Sequence, residues 1–165
     1  MSHLSGAPGT VNGPDLPAGP ARCSRAGGAD HHTAQRSYLE AAAAPAALPY
    51  IRRHTRQIVA AWRLGHLADE IELVVSELIT NAVTATLGLQ AAAPVALYLA
   101  LDRHGLYVLA WDCCPDLPVL RAHVGDAESG RGLELVSTLS GVWGACACAE
   151  RGGKVTWARF EVRGQ

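Results

Sequence analysis

Glu77 and Asn81 stand four residues apart in the run Ser76-Glu77-Leu78-Ile79-Thr80-Asn81-Ala82-Val83. At about 100° per residue, a helix places both on one edge. Ile71, Val74, Val75, Leu78, Ile79 and Ala82 fill the neighbouring arc and must face a core. Glu70, Glu77, Asn81 and Thr84 then form a polar stripe along the rim of that apolar face. A solvated helix back would carry such residues opposite the core rather than beside it. A carboxylate at a rim can accept a proton. A carboxamide next to it offers a neutral oxygen to Mg²⁺, which keeps several waters and takes few protein ligands. The plainer reading of the pair is two partly exposed polar residues at a helix edge.

Two further pieces could complete such a site. Asp112 ends the apolar run 106–111 and is followed by Cys113-Cys114-Pro115-Asp116-Leu117-Pro118, where two prolines stop any regular element. Gly130-Arg131-Gly132 precedes the amphipathic residues Leu133, Leu135, Val136 and Leu139. Backbone N–H groups at a helix start attract anions, and glycines let phosphate oxygens approach the main chain. Taken singly, each piece is commonplace: aspartate at a strand end forms turns, and Gly-x-Gly recurs at turns and helix caps. Their combination in this order is far more specific.

The elements that must position these residues can be read from hydrophobic spacing. Residues 1–35 are rich in Gly, Pro, Ala and Ser and read as a disordered leader, leaving 36–165 as the folded domain. The pair His31-His32 in that leader lacks nearby partners for a metal. Residues 38–47, alanine-rich and broken by Pro45, suit a short strand or a linker. Pro49 opens a helix with Ile51, Ile58, Val59 and Trp62 on one face and Arg52, Arg53, Arg56 and Arg63 on a solvated one. Gly65 ends that helix. A second helix over 67–86 carries the polar stripe. The alternating run 95–101 and the run 106–111, joined by Asp102-Arg103-His104-Gly105, form a hairpin. Residues 119–132 hold few large apolar side chains and read as a loose segment that a bound anion would order. A short helix and a closing hairpin over 142–149 and 155–162 finish the chain. Helix, helix, hairpin, loop, helix, hairpin makes an α+β two-layer sandwich. Its mixed, mainly antiparallel sheet is covered on one face by helices.

The 165 residues suffice for one core, half of them are apolar, and the formal charge is −1, which argues against binding nucleic acid through bulk charge. The sequence holds no run of 18 apolar residues and no basic-then-apolar N-terminal signal, so the expectation is a cytoplasmic chain without a membrane span. Cys23, Cys113, Cys114, Cys146 and Cys148 are odd in number and adjacent or one apart, which suggests reduced thiols rather than a disulfide framework. Nothing positive stands near Cys113 and Cys114 in sequence, so both read as unreactive buried thiols.

Four segments together resemble a known family: S-E-L-I-T-N-A-V at 76–83, W-D-C-C-P-D-L-P at 111–118, S-G-R-G-L-E-L-V at 129–136, and W-G with G-G-K-V-T-W-A over 143–158. The chain resembles the GHKL group of ATP-binding proteins, which includes gyrases and histidine kinases. It is most similar to the small bacterial anti-sigma-factor serine/threonine kinases, over residues 48–162. The resemblance implies a Bergerat-type fold that binds ATP and Mg²⁺. It casts Glu77 as general base, Asn81 as the metal ligand, and Asp112 as acceptor of the adenine amino group. Gly130, Arg131 and Gly132 become the lid hinge and phosphate-binding turn, with Thr84, Pro115 and Leu133 beside the nucleotide. A carboxylate that accepts the exocyclic amine discriminates against guanine, whose carbonyl would face a second acceptor.

The implied activity is phosphorylation of a serine or threonine on a small antagonist protein, with a sigma factor as a second protein partner. A homodimer is compatible with this, and no contact with nucleic acid or membrane is implied. The alternatives are a non-catalytic ATP-dependent binding module that sequesters a regulator, or the ATP-binding half of a split sensor. Three departures stand out. Thr84-Ala85-Thr86 replace a basic or histidine-containing turn, and the loop after Asp112 lacks Asp-x-Gly-x-Gly. Gly153-Lys154 also stands where some relatives have Gly-Thr, leaving Thr156 as a candidate for the adenine-side threonine.

Overall fold

A computed structural model of the chain describes residues 35–118, 131–149 and 151–162. Five strands form one sheet in the order β1-β2-β3-β5-β4: β1 Gln35–Ala42, β2 Pro94–Asp102, β3 Gly105–Asp112, β4 Val142–Ala147 and β5 Lys154–Phe160. Three helices accompany it: α1 Leu48–Ala61, α2 Ala68–Gly88 and α3 Arg131–Leu139. Every pairing among the described strands is antiparallel, so the expected mixed sheet is antiparallel throughout. The reason is connectivity. Both hairpins turn directly back, and β1 pairs antiparallel with β2 at the sheet edge. The ambiguous 38–47 segment is thus mostly strand, and it begins at Gln35, inside the expected leader. The rest of that leader, residues 1–34, lies outside the described residues, as do 119–130 of the expected loose segment.

The helices cover one face only. Val95, Leu97, Leu99, Leu106, Val108, Ala110, Ala158 and Phe160 point from the sheet into a core shared with Ile51, Val59, Ile71, Val74, Val75, Leu78, Ile79, Leu133 and Val136. The period-2 alternation of the strands and the 3.6-residue period of the helices meet there. By length and composition the stretch carrying α2 could cross a membrane, yet half of it is buried within the fold, which marks it as the core helix.

Two local expectations change. Arg52 and Arg56 are not simply solvated. Arg52 Nε donates to Ser76 Oγ at 2.8 Å, and Arg56 pairs with Asp69 at 2.8 Å and with Glu72, so both fasten α1 to α2. The chain leaves α1 through Arg63 at φ 60 rather than through Gly65, whose residue instead opens a short 3-10 turn. Helices commonly end in a left-handed residue, and exposed Arg63 takes that position here despite the steric cost to a side chain with a Cβ.

The second sheet face is aromatic. Tyr98, Leu109, Trp111 and Val155 are buried there, and the Tyr38 and Tyr98 rings lie 4.6 Å apart. Arg151 spreads over the Trp111 ring at 3.7 Å, donates to Tyr38 Oη at 3.3 Å and pairs with Glu40 at 3.3 Å. Burial, helped by the Glu40 carboxylate that accepts its hydrogen bond, pushes the Tyr38 phenol up to about 12. Edge strand β1 is thereby tied across the sheet to the β4–β5 turn.

Candidate functional site

Helix α2 carries one end of the site. Leu78, Ile79, Ala82 and Val83 anchor it in the core, while Glu77 is half-buried and Asn81 and Thr84 are exposed along the rim. Side chains four apart on a helix are surface neighbours, so the rim expected from spacing is present. Neither Glu77 nor Asn81 hydrogen-bonds through its side chain to another described residue, and both are free to meet a ligand.

Helix α3 brings the second piece to the same place. Leu133 and Val136 are buried in the core and seat this short helix against α2. Gly132, just inside its start, lies against Glu77, and a Cβ at Gly132 would collide with the Glu77 carboxylate. The chain therefore places the N-terminal turn of a helix beside a carboxylate 55 residues earlier. Leu133 is packed into the core, so it acts as the anchor of that turn. Gly130 and the Arg131 side chain lie outside the described residues.

Strand β3 supplies the third piece. Asp112 is its last residue and points to the helix-covered face, only 1% exposed. The loop beyond it is held to α2 where the Cys113 thiol meets Thr86 Oγ1 at 3.9 Å. Pro115 follows, exposed. Asp112 Oδ1 accepts from the Cys114 backbone N–H at 2.9 Å and from Lys154 Nζ at 2.8 Å. Lys154 Nζ also donates to the Cys114 carbonyl at 3.3 Å. Burial raises the Asp112 carboxyl above its ordinary range, and the Lys154 ammonium and the Cys114 N–H pull it partly back.

Reading along the chain marked Lys154 only as a departure from the family pattern and missed its pairing with Asp112. It is buried at 6% exposure, directly opposite Asp112 in the β3–β5 register. Thr156 is buried two positions further along β5, opposite Ala110, so Lys154 rather than Thr156 stands against the carboxylate. The signal was available: Lys154 shares strand parity with the inward residues Ala158 and Phe160. Its consequence depended on a pairing 42 residues long. Gly153 makes the approach possible. It sits at φ 70, and a Cβ there would overlap the Asp112 carbonyl.

The cysteines also differ from expectation. Lys154 puts a cation beside Cys114, where the sequence neighbourhood showed none. Cys113, Cys114 and Cys148 are free, whereas Cys146 is disulfide-bonded, so the expectation of reduced thiols throughout does not hold. Among the described residues no group of three His, Cys, Asp or Glu gathers. A divalent cation at this site would thus rest on few protein atoms, Asn81 foremost, with water and ligand oxygens completing its shell.

The arrangement can hold an anion at the α3 start, accept a proton at Glu77 and recognise a polar group at Asp112. No curated protein matches the chain significantly. A family model for the histidine kinase-like ATPase domain matches residues 41–159, from the end of β1 through nearly all of β5 and including all three parts of the site. The chain belongs to the histidine kinase-like ATPase domain family, whose α+β sandwich it displays.

Proposed function

We propose that the chain is an ATP- and Mg²⁺-dependent regulatory protein kinase of the anti-sigma type, acting on a serine or threonine of a small antagonist protein. The observation that carries this reading is the contact of Gly132 with Glu77. It sets an anion-binding helix start beside a carboxylate that no described side chain neutralises, which is the pairing phosphoryl transfer to a hydroxyl needs. Asn81 would hold Mg²⁺, and Asp112 would receive the amino group of adenine. The metal, when bound, supplies charge neutralisation on the phosphates. As the acceptor oxygen bonds the γ-phosphorus, its proton passes to Glu77, and the bond from that phosphorus to the departing ADP oxygen breaks.

Glu77→Ala should abolish transfer to a protein hydroxyl while leaving ATP affinity within about tenfold, because a general base acts on the acceptor. Mass spectrometry of candidate antagonist proteins after incubation with the chain, ATP and Mg²⁺ reads this directly. An unmodified acceptor with wild type would leave a nucleotide-gated binding module as the function. Asn81→Ala should reduce ATP affinity to the level wild type shows in EDTA, measured by calorimetry. Equal wild-type affinity with and without EDTA removes the metal from the site.

A further inference from the structure

The turn that delivers Lys154 to Asp112 is fixed at two points. Trp111 Nε1 donates to the Gly152 carbonyl at 2.9 Å, and Gly153 lies against the Asp112 main chain. Asp112 Oδ1 is fully engaged by Lys154 and the Cys114 N–H. Lys154 uses two of its three N–H donors, on Oδ1 and on the Cys114 carbonyl. Asp112 Oδ2 and the third Lys154 N–H engage no described residue. An acceptor and a donor thus stand side by side at the end of β3, where a lone carboxylate would offer acceptors only.

We propose that Lys154 broadens the base choice of this site, so that it takes keto-purine nucleotides as well as adenine nucleotides. The proposal rests on Asp112 being the group that reads the base. An amino group at position 6 of a purine donates to Asp112 Oδ2. A carbonyl at the same position accepts from Lys154 Nζ. Against a carboxylate alone the carbonyl would meet another acceptor, and a buried unpaired group of that kind is what gives such pockets their discrimination. The lysine removes that mismatch and with it the exclusion of hypoxanthine and guanine. Inosine triphosphate is the cleanest probe, because it differs from ATP only in the six-position oxygen and the proton on the adjacent ring nitrogen.

Calorimetry of the full chain with Mg²⁺ should give wild-type affinity for inosine triphosphate within about tenfold of that for ATP. Lys154→Met and Lys154→Thr should each weaken inosine triphosphate at least about tenfold more than ATP, since only the carbonyl needs the ammonium. A wild-type preference for ATP beyond that tenfold overturns the proposal, and so does an ATP-to-inosine triphosphate ratio unchanged in a folded Lys154 variant. Circular dichroism shows which variant folds, and the wild-type ratio decides even when neither does. A wild type that binds neither nucleotide removes the nucleotide reading of the site itself, whereas one that binds ATP alone removes only the role given to Lys154.

Discussion

The two ends of the site are built on opposite terms. At the rim of α2, Glu77 and Asn81 stand partly or fully in solvent, and their side chains bond to no other described residue. At the end of β3, Asp112 is enclosed and already holds two partners before any ligand arrives. Water can satisfy the rim, so its groups stay available and cost the fold little. The interior cannot leave a carboxylate bare, so the protein supplies a lysine and a backbone N–H and leaves one oxygen open. The rim thus keeps its polar groups unpartnered among the described residues, while the enclosed end is already largely satisfied by the protein itself.

Breaking the enclosed end should therefore destabilise the fold most. Asp112→Ala strands the buried Lys154 ammonium and should lower stability by about 3–5 kcal/mol, the range for halving a buried pair. Glu77→Ala should cost only about 1 kcal/mol, because Glu77 is half-buried and its carboxylate has no described partner to lose. Urea denaturation of both variants tests the contrast, and equal losses would erase the distinction between the two ends. Gly153→Ala comes next, because the new Cβ meets the Asp112 carbonyl and the backbone sits at φ 70. A loss of roughly 1–3 kcal/mol is expected from that strain, with base recognition impaired alongside it. An unperturbed melting curve would mean that the β4–β5 turn is free to move.

The smallest effect concerns the seam between β1 and α1, away from both ends, where His54 Nε2 and Ser37 Oγ lie 2.9 Å apart. Burial lowers the His54 pKa below its ordinary 6.5. The folded state therefore resists protonation there. Stability from this group is complete above about pH 6.5 and is lost as pH falls through the lowered value. Thermal melts at pH 7 and 5.5 should show a larger drop for wild type than for His54→Gln, and identical drops would dismiss the histidine as a contributor.

What the chain states locally was legible along it. The apolar arc of α2 implies the Glu77–Asn81 rim, since a helical period needs only neighbours to reveal it. The alternation of 95–101 and the prolines after Asp112 likewise announce a strand and its end. Arg52 and Arg56 resisted such reading because their partners on α2 answer to helix packing, not to spacing on α1. The strand at Gln35–Ala42 was ambiguous for the same reason: alanines carry little β preference, and an edge strand is decided by the neighbour it pairs with.

By itself the sequence determined the helix rim, the strand ends, the glycine-bounded turns and the antiparallel hairpins, all of which follow from interactions within a few residues. Only the tertiary structure decided that Gly132 rests on Glu77 and that Lys154 neutralises Asp112. Those contacts join residues 55 and 42 positions apart. They depend on how α3 seats on α2 and on the β3–β5 register, where a slip of one residue would have turned Lys154 to the aromatic face.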